Sequence, residues 1–152
     1  MTGQFLLLLL SCGTLGIFLG AQIAEAVLLV PYWKALSAES FFDLHQTYGK
    51  KIHRFFAPLT IAATLCPLVT ASFLIFDQSA LPILSTIMGL SALAFFSTYF
   101  LYFKAANKRF ADKSIAPEAL PEALERWGNW HWARIGFELI AFLCSLLLLG
   151  FF

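Results

Sequence analysis

The residues best equipped for chemistry stand on one short stretch of this chain. His131, Arg134 and Glu138 are spaced i, i+3 and i+7, which sets an imidazole, a guanidinium and a carboxylate on one face of a helix. Glu138 lies roughly 16 Å along a helix axis from Trp127, inside an apolar segment. A charged residue at mid-bilayer costs about 2.5–3.5 kcal/mol on insertion scales, so this carboxylate must face a bundle interior and find a partner. Two readings follow. Arg134, one turn back, pairs with Glu138 and stabilises the fold, or the pair lines a cavity. Glu25 is a second acid in an apolar segment, roughly 9 Å ahead of Pro31 on a helix. It either reaches water at an interface or serves as a ligand or general base facing His131. Imidazole is the side chain suited by type to accept a proton near neutral pH.

The three histidines raise a metal question. Glu25, His53 and His131 would make a His/His/carboxylate set of the kind that holds iron, copper or zinc. No HExxH, CxxC or His-rich spacing accompanies them, so no metal is assigned, and haem is less favoured still. His45 and His53 share a face only if one helix runs through Gly49. Cys12, Cys66 and Cys144 all fall in apolar segments and read as small packing residues. The 17 Phe residues read as packing, and would also suit a flat aromatic substrate.

What must position these groups follows from composition. The 152 residues are 60% apolar and 12% charged, with net charge +1 and mean hydropathy +0.79. These values exclude a disordered chain, a nucleic-acid binder, a disulfide scaffold and an ordinary cytosolic enzyme. Charge-free runs cover residues 1–24, 55–76 and 78–103. A last run, 139–152, covers only about 21 Å of the ~30 Å hydrocarbon core. The fourth span must therefore extend back through Glu138 and Arg134. No run alternates as a barrel strand would. The expectation is an all-α integral membrane four-helix bundle, one domain over 1–152. Its spans are about 5–30, 53–76, 80–104 and 128–152, and its cytoplasmic connections are 31–52 and 105–127.

The 10 Lys and Arg residues all lie near those two connections or, for Arg134, at the start of span four. The positive-inside rule then puts both termini on the non-cytoplasmic side. Trp33, Trp127, Trp130 and Trp132 fall at the same boundary. We expect the bacterial inner (plasma) membrane as the location. Leu9-Leu10-Ser11-Cys12 loosely matches a lipoprotein cleavage box, but no positive charge precedes it and the apolar run continues, so the first span is expected to stay uncleaved. Pro31 is expected to close span one and Pro67 to kink span two. Asp77-Gln78-Ser79 is expected to make an external turn, Pro82 to sit in the first turn of span three, and Pro121-Glu122 to open the helix into span four. Gly16-x-x-x-Gly20 permits close helix packing. This topology gathers Gln22, Glu25, His45, Tyr48, His53, Tyr99, Tyr102, Asn107, Asn129, His131, Arg134 and Glu138 at the cytoplasmic half, and leaves the other half nearly without such groups.

The stretch from Leu124 to Arg134, with Trp127, His131 and Arg134 in register, resembles the L-x-x-W-x-x-x-H-x-x-R signature of the anthrone-oxygenase-like membrane proteins. Asn107-Lys108-Arg109-Phe110 is similar to that family's N-x-x-L segment, with Phe for Leu. Tyr48-Gly49 and Pro58 resemble its approach to span two, with a different Tyr–Gly spacing, and residues 20–31 resemble its first-span exit. Many members have Pro shortly before the Asn, where this chain has Ala105-Ala106. The resemblance implies a four-helix membrane fold. For a fungal subset it implies oxygenation of polyketide anthrones to anthraquinones, with no established organic cofactor.

The expected function is a membrane-embedded oxygenase or oxidoreductase acting on a lipophilic aromatic or quinone-like molecule. His131 is the base, Arg134, Asn107 or Asn129 holds an enolate oxygen, and Glu25 or Glu138 orients His131. His53, Tyr99, Asn107, Asn129 and Glu138 are expected to line the substrate. The alternative is a non-enzymatic bundle that binds lipid, quinone or a metal, or serves as an accessory subunit. In either case the partners are the bilayer and a lipophilic small molecule. Transport has less support, since no inverted repeat or broken helix is apparent.

Overall fold

A computed structural model describes residues 3–77 and 81–151. Helix α1, Gly3–Ala24, widens into a π-helical turn, Glu25–Leu29, and resumes as α2, Val30–Ala35. Pro31 therefore does not close the first rod. In a regular α-helix its ring would meet the Val27 carbonyl. The wide turn just before it relieves that clash, and the helix runs on to Ala35. The stop comes at Leu36, whose extended backbone (ψ 151°) breaks the helix. Ser37 then caps α3, its hydroxyl accepting from the Ser40 N–H at 3.2 Å.

Helix α3, Ala38–Phe76, takes up most of what the sequence suggested as a connection. Gly49 does not interrupt it, and neither Pro58 nor Pro67 ends it. At about 1.5 Å per residue it is nearly 60 Å long, twice the ~30 Å of a hydrocarbon core, so its first part projects beyond the apolar layer. The expected turn at Asp77-Gln78-Ser79 lies mostly outside the described residues. Helix α4, Pro82–Thr98, starts from Leu81, whose φ of 65° is a left-handed conformation strained for a residue with a Cβ. Leu81 offsets that strain by packing on the cluster of Leu8, Ala71, Leu74, Met88 and Leu148. A second π-helical turn, Tyr99–Phe103, leads to α5, Lys104–Ala111, and a 3-10 turn, Pro117–Ala119, leads to α6, Leu120–Leu149.

The four rods form an up-down ring. The first packs on α3 and α6, and α4 packs on the same two, while α3 and α6 barely touch across the diagonal. Connections that join spatial neighbours make this the simplest bundle order. All four rods are long and apolar enough to cross a membrane. Large apolar side chains point outward as well as inward, with Ile83 74% and Leu101 73% exposed. The buried positions, by contrast, include Ser11, Gln22, Thr64, Thr70, Ser85 and Thr98. That distribution fits an integral membrane protein, whose helices associate through small and polar contacts rather than by hiding apolar surface from water.

Such contacts occupy the end of the bundle that carries the termini. The Ser11 and Thr70 hydroxyls meet at 2.9 Å, the Cys12 thiol donates to Ser145 at 3.2 Å, and Gln4 donates to Asp77. This half is thus more polar than the sequence suggested. Of the expected glycine pair, a Cβ on Gly16 would stand 3.1 Å from the Phe142 ring, whereas Gly20 has open space. At Gly89 α4 comes close to α3, since a Cβ there would stand 3.2 Å from the Ala71 Cβ.

The opposite, basic end is closed by an aromatic cap of Trp33, Phe41, Phe42, Phe103, Phe110 and Trp127. His45 sits in it, 4.1 Å from Phe41 and 5.2 Å from Trp33 between ring centroids. It belongs to the part of α3 that precedes the apolar run.

Two outcomes test this packing. Gly89→Leu overpacks the α3–α4 contact and should destabilise the bundle by about 1–3 kcal/mol, while Gly20→Leu should be close to neutral, both read by unfolding in detergent. Burial holds the His45 pKa below its ordinary 6.5, against an opposing hydrogen bond to the Phe41 carbonyl. The unfolded chain therefore binds the extra proton first as pH falls. Stability present above about pH 6.5 should decline on acidification, and His45→Gln should lose less of it.

Candidate functional site

The chemistry-bearing residues meet between α1 and α6, at the level where the first rod widens. Gln22 and Glu25 lie three residues apart, so they share the inward side of α1 as it enters the π turn. His131, Arg134 and Glu138 face them from one side of α6. The His131 ring is 0% exposed. It stacks on Trp127 at 4.9 Å and 23°, one turn earlier on the same helix. Its Nε2 lies 3.0 Å from the Gln22 carbonyl oxygen. A carbonyl only accepts, so Nε2 carries the hydrogen and Nδ1 keeps a free lone pair. The Glu25 carboxylate stands 3.7 Å from Nε2, beyond a direct hydrogen bond.

Arg134 is 9% exposed and lies in an aromatic box. Its guanidinium carbon is 4.8 Å from the Phe95 ring centroid, 5.2 Å from Phe103 and 5.5 Å from Phe18. A planar, weakly hydrated cation is suited to such faces. Its Nη2 donates to Thr60 Oγ1 at 3.3 Å, and Thr60 in turn donates to the Phe56 carbonyl at 2.9 Å. The expected ion pair with Glu138 is not formed, since neither carboxylate oxygen of Glu138 has a hydrogen-bond partner. Arg134 instead lies within Coulombic reach of both Glu138 and Glu25.

Six buried polar atoms in this cluster have no partner from the protein: both side-chain atoms of the Gln22 amide, His131 Nδ1, Arg134 Nε and both Glu138 oxygens. Each such atom costs about 1–3 kcal/mol if left unmet. They divide into donors on Gln22 and Arg134 and acceptors on Gln22, His131 and Glu138. A small group able both to donate and to accept would satisfy them. The cluster is closed, so such a group enters only if the surrounding rings move.

Other residues singled out from sequence lie elsewhere. His53 is exposed on α3, and among the described residues no three His, Cys, Asp or Glu side chains are grouped to hold a metal ion. The Glu25, His53 and His131 set is therefore not assembled. Asn129 is exposed. Tyr99 is half-buried against the Phe100 ring. Asn107 accepts from Trp127 Nε1 at 2.9 Å, so it holds the indole that stacks on His131 rather than facing the cluster itself. Thr60 and the box of Phe18, Phe95 and Phe103 were not foreseen. Phe18 carries a helical-register signal, seven positions before Glu25 and so on its face.

Arg134→Leu leaves two buried carboxylates without their cation and should cost roughly 3–5 kcal/mol. Adding Glu138→Gln should restore part of that loss if the two groups interact through the field. Unfolding of the single and double variants in detergent measures it, and strict additivity would refute the coupling. Compared with family models, with curated proteins and with solved structures, the chain gives no match in any of the three.

Proposed function

We propose that this chain is a membrane-embedded oxygenase or oxidoreductase-like protein acting on a lipophilic aromatic carbonyl or phenol, with its reacting group bound among Gln22, Glu25, His131, Arg134 and Glu138. The observation that carries this reading is the set of six unmet polar atoms on four buried residues, Gln22, His131, Arg134 and Glu138. A buried imidazole with a free Nδ1, next to a cation with an unspent Nε–H, supplies what carbanion chemistry requires. The resemblance of 124–134 to the anthrone-oxygenase-like proteins supports the same choice.

In this reading His131 Nδ1 takes a proton from an activated CH₂. The electron pair moves onto the conjugated carbonyl oxygen, which Arg134 Nε–H and the Gln22 amide hold. Dioxygen forms a bond to the carbon, and the resulting peroxide takes a proton back from His131. Loss of the second C–H proton with cleavage of the O–O bond leaves a ketone and one water, so CH₂ and O₂ balance C=O and H₂O. Glu25 positions His131 by its charge beside Nε2, and Asn107 does so through Trp127. In this reading both termini lie on the non-cytoplasmic side, in the bacterial inner (plasma) membrane. The basic residues at the other end support that orientation.

The test is oxygen uptake by the protein in lipid nanodiscs with an anthrone as substrate. Uptake with matching ketone formation is expected. His131→Gln should lower it by roughly 100-fold or more with unfolding unchanged, and Asn129→Ala should not. No uptake would overturn the reading. The closure of the cluster favours the second one, a non-enzymatic bundle that binds a lipid or quinone or serves as an accessory subunit, in which these groups only organise the fold.

A further inference from the structure

A separate cleft of about 280 Å³ lies between α5 and the start of α6, at the basic end. That is close to the lower bound of about 300 Å³ for small-ligand clefts. Arg109 comes to it from α5 and Arg126 from α6, with Tyr102 below them. The Tyr102 ring is fixed by parallel stacking on Trp130, at 5.2 Å and 5°. Arg126 also donates to Glu122 at 3.3 Å along the same helix, in an exposed pair worth little. The Arg109 guanidinium has no hydrogen-bond or ion-pair partner among the described residues. The cleft thus holds two cations against one carboxylate. Its floor is apolar, with Phe110 inside and Leu101 at the edge that joins the outward apolar face.

We propose that this cleft binds the phosphate of an anionic phospholipid, held between Arg109 and Arg126 with the Tyr102 hydroxyl donating to it, while an acyl chain runs over Leu101. Guanidiniums match phosphate oxygens in geometry and charge. An apolar edge leading onto the outer face suits an amphiphile better than a free ion. Basic pockets between helices at the interface recognise anionic headgroups in this way. The site is distinct from the Glu25–His131 cluster, since it shares no residue with it.

The full chain in neutral detergent tests this by native mass spectrometry and thermal unfolding, with phosphatidylglycerol, phosphatidylcholine or inorganic phosphate added. Phosphatidylglycerol should bind and raise the unfolding midpoint, and phosphatidylcholine should not. Arg109→Gln with Arg126→Gln should weaken that binding about tenfold or more. Lys50→Gln with Lys51→Gln, an equal loss of charge at the same end, should leave it unchanged, and Tyr102→Phe should weaken it by a smaller factor. Equal losses in the arginine and lysine pairs would reduce the effect to general charge and overturn the proposal. An equal response to phosphatidylcholine would overturn it too, and stabilisation by inorganic phosphate alone would replace the lipid with a free anion.

Discussion

The burial of Arg134 is the constraint on which the rest of this structure turns. A guanidinium deep in an apolar bundle has no water to solvate it, and the desolvation of such a charge costs several kcal/mol. Three phenylalanine faces, one threonine hydroxyl and the field of two carboxylates take the place of solvent. One face comes from α1 and two from the third rod, the hydroxyl comes from α3, and the cation itself stands on α6. One cation therefore fixes how all four rods approach. Phe18, Phe95 and Phe103 cannot shift independently without exposing it to an uncompensated apolar surrounding.

That arrangement also explains the unequal treatment of the acids. With three rings around it and one Nη on Thr60, Arg134 does not make the fork to Glu138 that a surface pair would show. Glu138 is left with charge compensation through space and no hydrogen bond. The same logic reaches His131, whose Nε2–H is spent on a backbone carbonyl, leaving Nδ1 open. A bundle optimised only for stability would have paired these groups or replaced them. Buried polar groups are as a rule hydrogen-bonded, so each one left unmet here calls for an explanation.

Backbone detail supports the cluster from outside. The π turn at Glu25–Leu29 accommodates Pro31 and carries the first rod on to Ala35, where Trp33 reaches the aromatic cap. Trp127 in that cap stacks on His131 and is held by Asn107. The cap and the charged cluster are thus one continuous packed unit, and the small hydroxyl contacts at the other end hold the rods together without touching it.

Much of this was legible in the order of residues. Unbroken apolar runs set the four rods, because a backbone in an apolar solvent must satisfy its own hydrogen bonds. The i, i+3, i+7 spacing of His131, Arg134 and Glu138 placed them on one face, because helix geometry alone decides that. What the sequence could not decide is which partners that face meets. Whether Arg134 turns to Glu138 or to three rings, whether His53 joins Glu25 and His131, and whether Pro31 ends a helix or is absorbed by a wide turn all depend on distances between rods. Those distances are set by packing among residues far apart in the chain, such as Gly89 against Ala71, and no spacing along one helix encodes them.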